Sequence, residues 1–127
     1  TKLWKELGGF NTKYWMYGEE ADLCLRAARK GYKPMITQDA QIMHLVGAST
    51  SNKAEKTALV AKAKTTLVRD HWPKSLQWLG LSLFWLWAAV RLTGETIIRA
   101  FKPGDESPRK WRYVWSKRRD WLAGYTQ

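Results

Sequence analysis

The chain has 127 residues, with 22 lysines and arginines against 11 aspartates and glutamates, and a formal charge of +11. This length allows one domain with a real core and excludes two large ones. The single cysteine, Cys24, excludes an internal disulfide and indicates a reducing compartment. Residues 53–127 hold 15 of the basic residues and only 6 acidic ones, so we expect an anionic partner for that half.

The first 52 residues predict two helices and a pair of short strands. Gly8-Gly9 favours the end of a short helix, because glycine accepts the left-handed backbone that closes helices. Residues 20–30 predict a second helix, with an apolar face that buries Cys24. Residues 32–47 predict two extended pieces around a turn, and Pro34 indicates that the first is an edge strand.

The rest of the chain predicts helices. Residues 53–73 predict a connecting helix that ends at Trp72-Pro73. Residues 75–90, SLQWLGLSLFWLWAAV, carry no charge, but these 16 residues fall short of the ~20 that an upright spanning helix needs. We therefore expect an interfacial or re-entrant helix, within a basic, Trp-rich and membrane-associating tail over residues 74–127.

The segment YWMYGEEADLCLR places two aromatic rings, Trp15 and Tyr17, directly before three carboxylates. Glu19, Glu20 and Asp22 at a helix start are explained by capping and by the helix dipole, each contributing a few tenths of a kcal/mol. The alternative is that one of them is a general base in a cleft walled by the two rings, where partial burial raises its pKa. Spacing alone leaves both interpretations open.

Two histidines complete the candidates. His44, in the strand-like QIMHLVG, is either a structural histidine or a metal ligand contributed from the far side of a cleft. His71, at the end of the connecting helix, is expected to be a cap or a surface group.

Several elements share their order and spacing with one enzyme family. These elements are Gly8-Gly9-Phe10, the aromatic stretch 14–17, the acidic helix start 19–26, Gly31-Tyr32, His44 and Gly47-Ala48-Ser49. Over some 42 residues the chain resembles the second half of the catalytic domain of family 2 glycosyltransferases, in particular the rhamnosyltransferase-like branch.

This resemblance implies an α/β fold, with residues 1–52 as the acceptor-side portion of a GT-A domain. It implies an inverting transfer in which Glu20 is the base that deprotonates the acceptor hydroxyl, where the family more often carries Asp. Glu19 is then a supporting carboxylate and Asp22 a helix-start stabiliser. The residues expected to bind substrate are Gly9, Phe10, Trp15 and Tyr17, and His44 is expected at the metal or the donor diphosphate.

The resemblance also implies partners. They are a nucleotide-sugar donor, a glycan or lipid-linked acceptor, and Mg²⁺ or Mn²⁺ whose main ligands would precede residue 1. We therefore expect the chain to be a piece of a longer protein at the cytoplasmic face of a bacterial inner membrane, and residues 1–127 alone to show no turnover.

Three other interpretations compete with this one. The basic and aromatic stretch RKWRYVWSKRRDW is also typical of a nucleic-acid-binding module, but the uncharged run would then be an aggregation hazard. A helical membrane scaffold without chemistry leaves the order of the first 50 residues unexplained. In the plainest interpretation, the uncharged run is a buried helix of the domain and the basic stretch is a solvated face.

Overall fold

The computed structural model describes residues 2–39, 41–43, 52–102 and 109–126. All regular structure within these ranges is helical. The helices are α1 (Lys2–Leu7), α2 (Glu19–Arg29), α3 (Lys53–His71), α4 (Lys74–Phe101), α5 (Lys110–Ser116) and α6 (Arg118–Ala123). The predicted α/β sandwich is therefore wrong, and the fold is all-α.

Within the described residues neither predicted strand forms, because the backbone there has no partner; residues 40 and 44–47 of the prediction lie outside the described residues. Residues 32–39 and 41–43 contain no strand, and their apolar side chains project into solvent, with Ile36 fully exposed. A strand becomes stable when neighbouring strands take up its backbone hydrogen bonds and one face is buried. No other described segment supplies such a neighbour.

The predicted helix boundaries in the first half are confirmed. Gly8 and Gly9, both with positive φ, end α1, and Gly31 follows α2 with a φ of 86°. Asn52 caps α3, since its side-chain oxygen accepts hydrogen bonds from the backbone N–H groups of Ala54 and Glu55.

The buried face of α2 is not the predicted one. Cys24 and Leu25, expected in the core, are exposed, whereas Asp22 and Ala27 are buried. The side of α2 that faces the rest of the protein carries the ion pair between Asp22 and Arg26. This ion pair lies on the opposite side of the helix from the apolar residues.

The core lies where α3 meets the C-terminal helices. Small buried side chains such as Ala61 let α5 and α6 approach α3 closely, and Val114 and Trp121 fill the space between them. The Trp121 indole donates to the Val114 carbonyl at 2.8 Å, and the Thr65 hydroxyl donates to the Trp121 carbonyl. The C-terminal Trp residues are therefore partly structural.

α4 is one continuous helix of 28 residues, about 42 Å long. It extends beyond the C-terminal end of the uncharged run, residues 75–90, by more than two turns. Its covered side packs on α3 and α5; Gly80, for example, leaves no room for a side chain beside Val68 and Trp72. By length and composition alone, α4 is the one described helix capable of crossing a membrane. Only 6% of the most apolar 18-residue stretch of α4 is buried within the protein.

Candidate functional site

The loop between α1 and α2 is held firmly against α3. Tyr14 is buried and donates its hydroxyl to Asp70 Oδ2 at 3.0 Å, and Lys13 forms an ion pair with Asp70 Oδ1 at 2.7 Å. Burial, and next the hydrogen bond to Asp70, raise the pKa of Tyr14 well above its ordinary value, so the hydroxyl keeps its proton. The Tyr125 hydroxyl also donates to the Met16 carbonyl. These contacts fix the loop at both ends.

This anchored loop presents Trp15 to solvent. The Trp15 side chain is 73% exposed, although both of its neighbours are tied down. Tyr17 has a φ of 67°, the only positive φ at a non-glycine among the described residues, and Gly18 follows at 88°. A side chain in the left-handed region costs of order 1–3 kcal/mol, and such strain is concentrated at functional sites. We take it as a marker of a binding loop.

The three predicted carboxylates have different surroundings. Glu20 is exposed, and within the described ranges it forms no ion pair or side-chain hydrogen bond. Glu19 is half-buried, and its Oε2 is shielded from solvent without a hydrogen-bond partner in those same ranges. A shielded, unsatisfied oxygen is costly unless a donor reaches it. Glu20 is therefore accessible to solvent, and no described residue donates to Glu19 Oε2.

Asp22 has a structural role. Its carboxylate is 3% exposed and accepts from Arg26 Nε at 2.7 Å, and it lies 2.8 Å from His71 Nε2. Arg26 uses its other nitrogens to donate to the carbonyls of Leu7 and Gly9. The network joins α1, α2 and α3, which goes beyond the helix-start role expected for Asp22.

His71 differs from its prediction in the same way. Its side chain is only 6% exposed, so it is neither a surface group nor a helix cap. Sequence reasoning missed this pairing because His71 lies 49 residues from Asp22 and carries no local motif.

The predicted Gly9-Phe10 element lies elsewhere on the loop. A side chain at Gly9 would meet the Trp4 ring at 3.0 Å, and the half-exposed Phe10 ring packs edge-on against Trp4. Tyr17, by contrast, precedes Glu19 by two residues. The Lys56 ammonium lies 6.0 Å from the centre of the Tyr17 ring. Trp15 and Tyr17 are therefore close to the carboxylates in the chain, and none of the described contacts joins these two rings, Gly9 or Phe10 to a carboxylate.

The metal prediction cannot be built from the described residues. His44 lies outside them, and they bring together no group of three metal-binding side chains. Asp22 is already occupied by Arg26 and His71. The divalent metal remains a prediction from the resemblance, and no proposed chemical step requires it.

A second surface runs along α4. Its exposed apolar side chains recur at spacings of three, four and, between Val90 and Ile97, seven, which places them on one side of a helix. This apolar stripe consists of Leu76, Leu79, Leu83, Leu86, Val90, Ile97 and Phe101, each between 39% and 83% exposed. It lies away from the helical side that contains Gly80 and Ala88, the buried residues of α4. The stripe is too long and continuous for an ordinary water-facing surface.

Searches against protein-family profiles, curated proteins and solved structures found no match to this chain. The glycosyltransferase family therefore remains a prediction that these searches do not test.

Proposed function

We propose that this chain provides the acceptor side of a glycosyltransferase that works at an anionic membrane surface. The observation that carries the proposal is the contrast at the start of α2. There, Glu20 is exposed and has no partner among the described residues, Asp22 is buried in an ion-pair network, and the loop just before them exposes the Trp15 ring. An exposed flat ring and an exposed carboxylate five residues apart in the chain suit a sugar, whose apolar face stacks on the ring while a hydroxyl meets the base.

In this proposal Glu20 takes the proton from the acceptor hydroxyl as that oxygen attacks the anomeric carbon of a nucleotide-activated sugar. The bond from that carbon to the nucleotide diphosphate breaks, so the configuration inverts in a single displacement. Glu19 supports the site by accepting a hydrogen bond from the sugar at its unsatisfied oxygen. The Glu20 carboxylate reforms when the proton passes to water.

The apolar stripe of α4 is the proposed membrane contact. α4 carries protein on one side and the apolar stripe on another, so it suits a position in the plane of the interface with the Lys-rich α3 left in water. A spanning orientation would pull the packed helices into the hydrocarbon, where their charges are costly. The basic excess of residues 53–127 favours anionic headgroups, as on the cytoplasmic face of a bacterial inner membrane.

Nucleic-acid binding is supported less well. The rings that would have to stack on bases are engaged within the protein: Trp121 is buried, Trp115 lies 5.3 Å from Trp85, and Trp111 lies 4.8 Å from Trp87. Single-strand binding relies on free aromatic faces.

Replacing Trp15 with Ala is expected to weaken glycan binding about tenfold or more, because the ring supplies most of the exposed apolar contact area at the site. Saturation-transfer NMR with a panel of oligosaccharides measures this on the full chain. The matched control is Trp78→Ala, which removes another exposed indole, this one on α4. Equal glycan binding by wild type and Trp15→Ala would remove the ring from the proposed site.

The double variant Leu83→Gln/Leu86→Gln is expected to bind vesicles about 100-fold or more weakly than wild type. Both side chains lie on the apolar stripe, and each buried Leu contributes about 1.5–3 kcal/mol. Flotation with phosphatidylglycerol-containing vesicles measures it. The control Met35→Gln/Ile36→Gln removes apolar groups that are even more exposed but lie outside α4, and it should bind like wild type. If both doubles bind alike, α4 is not the membrane contact.

A further inference from the structure

Four arginines surround the junction between the second half of α4 and the start of α5. We call Arg91, Arg99, Arg109 and Arg112 the arginine cluster. Two adjoining cavities lie among them. One, of about 180 Å³, is lined by Arg99, Arg109 and Arg112, and the other, of about 310 Å³, is lined by Arg91 and Arg99. Among the described residues, both cavities are partly open rather than enclosed.

Glu95 is the one carboxylate that lines these cavities in the described part of the chain. Its two oxygens accept hydrogen bonds from the backbone N–H groups of Trp111 at 3.2 Å and Arg112 at 3.1 Å. Glu95 therefore fixes the start of α5 against α4 and holds Arg109 and Arg112 near the α4 arginines. Among the described residues, the two linings together contain four guanidiniums and one carboxylate.

The larger cavity also has an apolar wall. Val90, which belongs to the apolar stripe, and Ile98 line it beside Arg91 and Trp111. The Trp111 ring is held by an edge contact with Trp87 at 4.8 Å, and the Arg91 guanidinium lies 5.7 Å from its centre. The lining of this cavity therefore combines guanidinium groups with apolar side chains.

We propose that the arginine cluster binds the phosphate headgroup of an amphiphile whose hydrocarbon chain lies along the apolar stripe. Guanidinium groups suit this task because they form paired, charge-assisted hydrogen bonds with phosphate oxygens. The smaller cavity matches a headgroup better than a whole ligand, since pockets for drug-sized molecules begin near 300 Å³. The inference rests on the proposed membrane contact and adds to it a defined headgroup site.

The test uses the full chain in nanodiscs of neutral phosphatidylcholine, titrated with farnesyl phosphate, farnesol or inorganic phosphate. We expect farnesyl phosphate to bind best, since it alone offers both ends. The variant Arg109→Gln/Arg112→Gln is expected to lose about tenfold or more of this affinity, because hydrogen bonds to charged groups contribute about 1.5–3 kcal/mol. The start of α5 stays in place because Glu95 holds the backbone, not the side chains.

The charge-matched control is Lys117→Gln/Arg119→Gln, which removes two positive charges outside both cavities. It should change the affinity less than about threefold, as expected for exposed charges acting at a distance. Competition with phosphatidylglycerol separates the two sources of phosphate. If phosphatidylglycerol displaces farnesyl phosphate in wild type but not in the Arg109→Gln/Arg112→Gln variant, the ligand is a bilayer lipid. If phosphatidylglycerol does not displace it, the ligand is an isoprenyl-type phosphate.

Equal losses in the two double variants would overturn the headgroup site, as would no preference over farnesol. Oligonucleotide binding that is tighter than farnesyl phosphate binding and depends on the cluster would replace it with a nucleic-acid site. Flotation with phosphatidylglycerol vesicles reports the membrane contact separately, so retained vesicle binding with a failed titration refutes this inference alone.

Discussion

Glu20→Gln is expected to reduce sugar transfer by about 10²–10⁴-fold, the range typical of a lost general base. The amide keeps the shape of the side chain but cannot accept the acceptor's proton. Transfer is measured as incorporation of labelled sugar in membranes of the organism that makes the protein, with the encoded copy carrying the variant. Glu20→Asp should keep a large part of the activity, because the carboxylate is only shortened by one methylene.

The control for Glu20 is Glu55→Gln. Glu55 is also an exposed carboxylate in the first turn of a helix, but it begins α3 rather than α2. The Glu55→Gln variant should transfer sugar like wild type. Full activity in Glu20→Gln would show that Glu20 only stabilises the start of α2.

Asp22→Ala is expected to lower the free energy of unfolding by about 3–5 kcal/mol, because it leaves the charged Arg26 and the His71 side chain without their buried partner. Loss of the Asp22 contacts also loosens the hold of Arg26 on the carbonyls of Leu7 and Gly9. Urea unfolding followed by circular dichroism measures the change.

Glu20→Gln is the control for this stability prediction as well. As an exposed substitution it should change the free energy of unfolding by no more than about 0.5 kcal/mol. An Asp22→Ala variant as stable as Glu20→Gln would mean that the three-helix network contributes nothing to folding. Glu20 and Asp22 are only two residues apart. Substitution of Glu20 is thus expected to reduce sugar transfer, and substitution of Asp22 is expected to reduce the free energy of unfolding.

The helices were predictable because their signals are local. Gly8, Gly9 and Gly31 mark helix ends by the backbone they accept, and the break at Trp72-Pro73 separates α3 from α4. The strands predicted over residues 32–47 needed a partner strand, and no local pattern supplies one. The fold class depended on that missing partner, so it was wrong even though the ends of α1 and α2 were predicted correctly; the full length of α4 and the separate helices α5 and α6 were not predicted.

The candidate site was predictable only in part. Glu20 and Trp15 were singled out as neighbours in the chain, and both are exposed at the start of α2. The contacts that hold their loop come from Asp70 and Tyr125, more than 50 residues away, which no spacing rule connects to it. Cys24 shows the same limit, since helical periodicity identified an apolar face but not the side of the helix that the protein buries.

Sugar transfer itself is the most direct test of the proposed function. Membranes containing the protein and membranes from a deletion strain are supplied with a panel of labelled nucleotide-sugars, and label is followed into lipid-extractable glycan. We predict label that depends on the protein, is lost in Glu20→Gln and is retained in Glu55→Gln. If no donor gives protein-dependent label, or if Glu20→Gln and wild type transfer equally, the glycosyltransferase assignment is contradicted.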